Sequence, residues 1–433
     1  MKIFSYPSKD AEVWIKDLTE KRSVDFTEED EKKVLDIIHD VRKRGDSAVI
    51  DYTNRFDSPD LKADSLIVTE AEFAEAEKKA GPEFIKAIER SINQVREFHA
   101  RQTKNSWIDT PRDGVIVGQM IKPVDAAGVY VPGAKGGMTP LVSSVIMGVV
   151  PAKIAGVQHI AMVTPPMKDG GINPYLLVAA KMTGADVVYK TGSAWAVAAL
   201  AYGTETIKKV DVIVGPGNIY VTLAKKLVSG AVGIDMIAGP SEILVIADEK
   251  ADPAHLAADL LSQAEHDTMA SSILVTVSKK VAEETVEEVR KQLENLPRKE
   301  IAIESVNNFA GAFIVPDMDA AIELSNRIAP EHLELQVETP FEFLGKIRNA
   351  GAVFMGRYTP EPVGDYIAGP NHVLPTSGTA RFASALSVEH FTKRISLINY
   401  SKDAFIKEAD DIMRLADIEG LEAHANSVRI RLK

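Results

Sequence analysis

The spacing of apolar positions divides the chain into a helical beginning and an alternating remainder. Over the first hundred residues, apolar side chains recur every three or four positions among charged ones. This spacing predicts amphipathic helices at 28–43, 70–80 and 82–101. The Gly81-Pro82 pair between the last two is a typical helix boundary. The N-terminal part is therefore predicted to be a set of half-exposed helices.

From residue 128 onward, short apolar runs are separated by helix-length segments. The runs lie at 160–163, 187–189 and 210–214, and the helix-length segments at 141–155, 175–183, 194–202 and 219–227. A second series follows, with runs at 243–247, 272–277 and 312–315 and helices at 253–266 and 281–293. Strands that alternate with helices in this way predict parallel, doubly wound sheets.

Charge density indicates a boundary between about 105 and 130. The first hundred residues carry 40 charged side chains, whereas residues 131–240 carry 14, as expected for buried parallel strands under covering helices. We expect an α/β fold with two Rossmann-like, doubly wound α/β domains, a helical N-terminal segment and a small C-terminal tail domain. The tail is predicted to hold a helix at 404–416 and a strand at 428–432. The predicted parts are an N-terminal arm (1–23), a main α/β domain (24–129 and 241–385), a second α/β domain (130–240) and a tail (386–433).

Composition and charge narrow the class of protein. The 433 residues carry a net charge of −12 and are 45% hydrophobic, which is typical of a globular enzyme and unfavourable for sequence-independent nucleic-acid binding. The chain has no cysteine, which excludes a disulfide scaffold, a thiolate nucleophile and cysteine-ligated zinc. Neither a signal peptide nor a membrane-spanning apolar stretch is recognisable, so we expect a cytoplasmic protein.

Two glycine-containing turns that follow apolar runs are candidates for binding an anion. One is Gly215-Pro-Gly-Asn218 and the other spans 128–133. Glycines in such turns let backbone N–H groups approach a phosphate at the start of the next helix. Neither turn has the GxGxxG pattern, and a plain strand-to-helix turn is the alternative.

Gln263 and His266 are candidates for a metal site. They lie three residues apart near the end of a predicted helix, so both can face one ion. Asp365 and His424 are candidates for the two further ligands. Two imidazoles, a carboxylate and an amide oxygen suit a divalent ion such as zinc. The alternative for Gln263 and His266 is an ordinary solvated helix end.

Glu331 and His332 are candidates for acid/base chemistry. Their side chains would diverge by about 100° on a regular helix. We therefore expect them to serve one cleft only if a helix starts there, which Pro330 allows. A histidine titrating near neutrality suits an alcohol proton, and an adjacent carboxylate suits the activation of water. A surface Glu-His pair is the alternative, and the turn-rich loop 369–381 is a further candidate for lining a site.

Several segments, taken together and in this order, resemble the histidinol dehydrogenase family. They are 128–133 (GVYVPG), 215–218 (GPGN), 237–248 (IAGPSEILVIAD), 259–267 (DLLSQAEHD), 330–335 (PEHLEL), 364–381 (GDYIAGPNHVLPTSGTAR) and 419–424 (EGLEAH). The resemblance covers nearly the whole chain. It implies a zinc- and NAD-dependent dehydrogenase of histidine biosynthesis that oxidises L-histidinol to L-histidine through L-histidinal and consumes two NAD.

The resemblance also implies roles for single residues. The zinc ligands, for one ion per subunit, would be Gln263, His266, Asp365 and His424. The substrate would contact these four together with Ser241, His332 and Glu419. Glu331 and His332 would be the acid/base pair, and Tyr130 and Asn218 would contact NAD. The family is homodimeric with a tail that crosses to the partner, so the implied site is shared between subunits.

Two features depart from the family pattern. Trp195 stands where the family's NAD-contacting glutamine is expected, and an indole cannot accept that hydrogen bond, although it could stack on a ring. The segment 134–144 beside the dinucleotide turn is also atypical. Two alternative functions stay open. One is a zinc- and NAD-dependent dehydrogenase of the same superfamily that acts on another polar alcohol, such as sulfopropanediol, and the other, motivated by Trp195, is a non-catalytic metal-binding or scaffolding protein.

Overall fold

A computed structural model describes residues 1–22, 26–134 and 139–433. Its strands are β1 (Lys2–Ser5), β2 (Trp107–Arg112), β3 (Val115–Pro123), β4 (Ala126–Tyr130), β5 (Gly133–Ala134), β6 (Thr139–Pro140), β7 (His159–Thr164), β8 (Val187–Lys190), β9 (Val212–Val214), β10 (Gly233–Ile234), β11 (Glu242–Ala247), β12 (Ser271–Thr276), β13 (Ala310–Ile314), β14 (His332–Gln336), β15 (Ala352–Met355) and β16 (Thr392–Tyr400).

The α-helices of the same residues alternate with these strands over most of the chain. They are α1 (Lys9–Lys21), α2 (Glu28–Arg44), α3 (Asp46–Phe56), α4 (Glu70–Ala80), α5 (Pro82–Ala100), α6 (Val142–Ala155), α7 (Pro174–Thr183), α8 (Ser193–Tyr202), α9 (Ile219–Val228), α10 (Pro253–Ala264), α11 (Lys279–Leu293), α12 (Lys299–Phe309), α13 (Met318–Ile328), α14 (Glu361–Tyr366), α15 (Lys402–Ile418) and α16 (Glu422–Arg429).

The first sheet is parallel and has the strand order β1-β13-β12-β11-β14-β15. Alternate residues of its central strand β11 face opposite sides. Ile243 and Val245 pack into a core with α10, α11 and α12, whereas Leu244 and Ile246 pack into a core with α1 and α13. Because both faces are covered, β11 is apolar from Ile243 to Ala247 rather than alternating.

The second sheet is also parallel, with the order β10-β9-β4-β7-β8. Helices α2, α3, α8 and α9 share a core with one face of it, and α6 contacts β4 and β7. Two parallel sheets with helices confirm the predicted α/β class. Both sheets and their helices belong to one compact unit, Met1–Gln102 with Asp125–Phe391.

The second compact unit consists of Thr103–Val124 and Thr392–Lys433. In it β16, β3 and β2 form an antiparallel sheet, followed in sequence by α15 and α16. The sequence analysis placed 103–124 in the main domain; the structure groups them with the tail because β3 and β16 pair over nine residues, from Thr392↔Pro123 to Tyr400↔Val115. The other domain boundaries remain predictions.

One local prediction was wrong, and one strand was missed. The strand predicted at 428–432 is helical, since α16 runs to Arg429 and a single 3₁₀ turn follows it. Residues 1–23 were predicted only as an arm of a helical N-terminal segment, and the strand β1 within them, which pairs with β13 from Lys2↔Gly311 to Ser5↔Ile314, was missed. A four-residue edge strand is too short for its periodicity to identify it.

None of the helices in the described ranges is both long and apolar enough to span a bilayer.

Gly215 joins the carboxyl ends of β4 and β9. Its φ is +111°, and a Cβ atom there would lie 2.2 Å from the carbonyl oxygen of Tyr130. Gly230 also has a positive φ, of +97°, but a Cβ at Gly230 would meet nothing within 4 Å. Comparing alanine substitutions at the two glycines therefore separates the free-energy cost of the backbone conformation from that of a steric clash.

We expect Gly230→Ala to lower the free energy of unfolding by about 1–2 kcal/mol, the cost of a left-handed alanine. Gly215→Ala should lower it by about 1–3 kcal/mol more, because the Tyr130 carbonyl must also move. Denaturant unfolding of both variants measures the difference. Equal losses in the two variants would contradict the close approach of the two strand ends.

Candidate active site

A cavity of about 310 Å³ lies between the two sheets of the first unit. It is bordered by the amino ends of β11 and β14 in the first sheet and by the segments after β4 and β9 in the second. Six of the residues singled out from the sequence line it: Ser241, Gln263, His266, Glu331, His332 and Asp365. Residues far apart in the chain therefore share one polar cavity.

Glu331 and His332 are not on a helix, and that expectation was wrong. Helix α13 stops at Ile328 because Ala329 adopts a left-handed conformation with φ of +53°, and His332 is the first residue of the buried strand β14. In the sheet, β14 lies between β11 and β15. An inner position of this kind accounts for a buried parallel strand here instead of a helix start. Glu331 immediately precedes the strand, and its Oε2 lies 3.7 Å from Nδ1 of His332.

The main chain of Glu242 holds both members of this pair. Its N–H donates a hydrogen bond of 2.9 Å to Oε2 of Glu331, and its carbonyl oxygen lies 2.9 Å from Nδ1 of His332. Because a carbonyl only accepts, Nδ1 carries the proton. The other ring nitrogen, Nε2, therefore presents a lone pair to the cavity.

Helix α14 contributes two carboxyl groups to the cavity. Glu361 and Asp365 lie four residues apart on it, and they face the cavity together. One ligand atom from each of His332, Glu361 and Asp365 lies within 4.8 Å of the others, and Nε2 of His332 is 3.9 Å from Oε1 of Glu361. Glu361 was missed from the sequence, although its spacing from Asp365 was a usable signal.

Burial sets the protonation of this cluster. Burial, together with the smaller effect of the neighbouring charge of Asp365, raises the pKa of Glu361 to about 8. Burial also raises the pKa of Asp365 to about 6 and lowers that of His332 to about 4. Two carboxyl groups with raised pKa therefore lie beside a neutral imidazole, and a bound cation would stabilise their ionised forms.

The donor set fits a divalent cation. One nitrogen and two carboxylate oxygens are ligands that zinc takes in proteins. Gln263, which is 1% exposed, lines the same cavity, and neither its Oε1 nor its Nε2 makes a hydrogen bond within the described residues. A buried amide without a partner is costly unless a ligand engages it. The residues present therefore fit a metal ion.

The predicted ligand set is only partly brought together here. Of its four members, Asp365 belongs to the tight cluster, while Gln263 and His266 line the cavity. His266 follows the end of α10, where its N–H donates to the carbonyl of Gln263. His424 and Glu419 belong to the second compact unit, His424 within α16 and Glu419 at the end of α15.

The residues predicted to contact NAD lie at the carboxyl edge of the second sheet. Tyr130 ends β4 and is buried, and its hydroxyl accepts a hydrogen bond of 3.0 Å from the N–H of Ser193. Asn218 caps α9 by accepting from the N–H groups of Tyr220 and Val221. Pro216 and Gly217, just before Asn218, line the cavity. The glycine turn is thus a helix N-terminus facing the site.

Trp195 is a core residue rather than a free surface. It is 4% exposed, and its Nε1 donates to the hydroxyl of Thr53 at 3.1 Å. Its ring stacks on Tyr52 and Phe56, with centroids 5.6 Å from each. The indole that could have stacked on a ligand ring therefore stacks on α3 instead. Part of the atypical segment 134–144, residues 135–138, lies outside the described residues.

His372 is a second residue that the sequence analysis did not single out. It lies in the turn-rich loop 369–381 and lines the cavity. Its buried Nε2 makes no hydrogen bond among the described residues, and burial lowers its pKa to about 4. The loop that was expected to line a site does so.

Comparisons with known proteins decide the family. A family model described as histidinol dehydrogenase matches residues 20–432. The histidinol dehydrogenase of Desulfotalea psychrophila is 56% identical over 400 residues, 92% of each chain. That of Clostridium acetobutylicum is 50% identical over 433 residues, 100% of this chain and 99% of the relative. The chain belongs to the histidinol dehydrogenase family.

The structural comparison agrees with this membership. The crystal structure of histidinol dehydrogenase from Elizabethkingia anophelis has a TM-score of 0.92 at 38% identity, covering 100% of this chain and 98% of that one. The resemblance drawn from seven short segments is therefore confirmed, and the chain is an oxidoreductase of this family. A dehydrogenase of another polar alcohol is not favoured.

Metal binding should release protons from this cluster. Because burial holds the pKa of Glu361 near 8 and that of Asp365 near 6, a cation must displace protons between pH 6 and 8. Zinc affinity should therefore rise with pH in that window, by about tenfold per unit for each proton released. Calorimetric titration of metal-free protein in buffers of different ionisation enthalpy counts the protons.

Glu361→Gln is the matched variant for this measurement, since it keeps the shape of the side chain but has no proton to release. It should release fewer protons than the original chain. Heats that do not depend on the buffer, or equal proton release in both proteins, would show that these carboxyl groups are not protonated before the metal binds.

Proposed function

We propose that the chain oxidises L-histidinol to L-histidine through L-histidinal, the last step of histidine biosynthesis, as a cytoplasmic enzyme that uses two NAD and one zinc ion per subunit. The observation that carries the proposal is the buried pair Glu331 and His332, held beside the acidic cluster in a chain of this family. A purely metal-binding or scaffolding role has no corresponding observation in its favour.

Asp365, Gln263 and His266 are the residues of this unit proposed to hold the metal ion, with His424 from the tail of the partner subunit as the fourth. When bound, the ion anchors and orients the substrate. His332 is not among the proposed metal ligands. Its Nδ1 is engaged by Glu242, so its Nε2 can either bind a metal or take a proton, and we assign it the proton.

The first oxidation converts the primary alcohol to the aldehyde. Nε2 of His332 takes the hydroxyl proton while the carbinol carbon loses hydride, which bound NAD accepts. A neutral imidazole is required for this step, and burial keeps His332 neutral because it lowers the pKa to about 4. Proximity to substrate fixed in the cavity supplies much of the rate.

The second oxidation needs water, because a chain without cysteine cannot form a thiohemiacetal. The carboxylate of Glu331 takes one proton as water adds to the aldehyde carbon. Once His332 has released its first proton to solvent, it takes the remaining hydroxyl proton of the hydrate anion, and the carbon loses a second hydride to a second NAD, which leaves the carboxylate product. Burial raises the pKa of Glu331 well above its usual range, so that Glu331, once ionised, is a stronger base than an exposed glutamate.

The remaining assignments concern substrate, cofactor and partner. Ser241 and Glu419 are proposed to contact the substrate, and Tyr130 and Asn218 to contact NAD at the carboxyl edge of the second sheet. We propose a homodimer in which the tail completes the partner's site. Large apolar side chains exposed on the second unit, such as Ile398 and Ile418 at 75% and 76%, support an interface there.

Purified protein with zinc, NAD and L-histidinol should form two NADH for each histidine, measured by absorbance and by quantifying the amino acid. The ratio follows from two successive hydride transfers within one site. A ratio of one with release of the aldehyde would contradict the assignment of Glu331. Reduction of NAD by a sulfonated diol but not by L-histidinol would contradict the substrate.

Two histidine variants separate metal binding from proton transfer. His332→Asn should retain zinc but lose turnover by about 10²–10⁴-fold, the usual worth of a general base, whereas His266→Asn should lose zinc. Zinc content by atomic absorption and the rate of NADH formation report the two properties. His39→Asn, on the exposed face of α2, is the control and should change neither. Loss of zinc from His332→Asn would make His332 a ligand rather than the base.

A further inference from the structure

The Glu242 main chain that holds Glu331 and His332 is itself fixed by a buried ion pair. Oε2 of the Glu242 side chain accepts a hydrogen bond of 3.0 Å from Nη1 of Arg22. Its other oxygen, Oε1, accepts one of 2.9 Å from the N–H of Ser377. The Arg22 and Glu242 side chains are only 4% and 3% exposed. Both carboxylate oxygens of Glu242 are therefore held in place.

Arg22 reaches this position from the end of α1. It is the C-cap residue of that helix, and its Nη2 also donates to the carbonyl oxygen of Ile328 at 3.1 Å. The planar guanidinium thus joins the last residue of α13 to the first residue of β11. Ile328 precedes Glu331 by three residues. The Arg22 side chain therefore fixes both the main chain just before the acid/base pair and the Glu242 residue that bonds to the pair.

Stability alone does not account for such a pair. Removing a charged pair from water costs several kcal/mol per ion, and well-packed apolar residues are often as stable or more stable. What the Arg22–Glu242 pair offers instead is a single orientation for Glu242, and hence for the N–H and carbonyl group that hold Glu331 and His332. A planar fork with two fixed donors is suited to this, and a lysine is not.

We infer that Arg22 is a positioning residue for the acid/base pair: by fixing the Glu242 carboxylate, it fixes the main-chain groups that orient Glu331 and His332. The inference rests on the proposed roles of those two residues. It goes beyond them because a catalytic consequence is assigned to a residue that lies outside the cavity and 220 positions from Glu242 in sequence.

The competing account is that Arg22 only ties α1 to α13. The chain offers a matched control for that account, since Arg327 of α13 makes a two-pronged ion pair with Glu12 of α1, with bonds of 2.8 and 2.6 Å. Within the described residues, the Arg327 side chain bonds to Glu12 and Tyr6 and not to Glu242. Arg327→Met therefore removes a tie between the same two helices and leaves the acid/base pair in place.

The experiment compares Arg22→Met, Arg22→Lys and Arg327→Met in the full chain loaded with zinc. Arg22→Met should lower kcat about 10- to 100-fold, as expected for a displaced reacting group, while KM for L-histidinol changes by less than about twofold. Arg22→Lys should recover part of kcat, and Arg327→Met should keep it. Zinc content should be unchanged in all three.

A spectroscopic readout tests the orientation without turnover. In protein labelled with ¹⁵N-histidine, the Nδ1–H of His332 should give a slowly exchanging imidazole signal, identified by its loss in His332→Asn. That signal should be lost or broadened in Arg22→Met and kept in Arg327→Met. If Arg22→Met does not fold, Arg22→Lys carries the test, with a smaller loss of kcat and a shifted signal expected.

Three outcomes would decide against the inference. The first is a folded Arg22→Met protein that keeps the original kcat and the original His332 imidazole signal. The second is an equal loss of kcat in Arg22→Met and Arg327→Met. The third applies if Arg22→Met does not fold, and is an Arg22→Lys protein whose kcat and signal equal those of the original chain. Full activity in Glu331→Gln and His332→Asn would instead overturn the proposed roles of the pair themselves. The two kinds of failure are therefore distinguishable.

Discussion

The proposed active site depends on one electrostatic constraint: two carboxyl groups and a neutral imidazole converge in a buried cavity, and no lysine or arginine is among the described residues that line it. Glu361 and Asp365 lie one helical turn apart, and His332 meets them from the neighbouring strand. Like charges at that distance in a poorly solvated place cannot both ionise unless a positive charge joins them. In the proposed function a divalent cation supplies that charge, and the proposed substrate-binding and acid/base groups surround it.

Two buried ion pairs fix the backbone on either side of the cavity. Arg22 and Glu242 hold the start of β11, as described above. The ion pair of Lys225 and Asp235 holds the glycine turn in the same way. The carboxylate of Asp235 accepts a hydrogen bond of 2.8 Å from the N–H of Gly215, and Nζ of Lys225 donates one of 2.9 Å to the carbonyl oxygen of Gly215. Each pair engages main-chain groups at the edge of the site. This arrangement favours a role in fixing geometry, because buried ion pairs contribute little net stability.

Sequence reasoning was sufficient where the signal was periodic or carried by several segments. The two parallel sheets follow from apolar runs that alternate with helices, and the gathering of Gln263, His266, Glu331, His332, Asp365 and Ser241 around one cavity was expected from motifs in order. The helix start at Glu331 was wrong because the residues after Pro330 were interpreted as a helix N-terminus, whereas His332 begins the buried strand β14. Glu361 was missed since one glutamate before a proline carries little information alone.

Other features could not be read from the chain at all. The ties of Glu242 to Arg22, Glu331 and His332 join residues up to 220 positions apart, and no local pattern encodes them. The grouping of 103–124 with the tail depends on strand pairing across nearly three hundred residues. The burial of Trp195 against Tyr52 and Phe56 likewise follows from the packing of α3 on α8. Such contacts are properties of the assembled fold.

The most direct test of the central claim is a crystal structure of the zinc-loaded protein with anomalous data collected at the zinc edge. The account predicts one strong peak per subunit in the cavity, bonded to Asp365 and within ligand distance of Gln263 and His266. Nε2 of His332 should face the substrate position instead of the peak. A fully active preparation with no peak beside Asp365, or with zinc bound only outside this cavity, would contradict it.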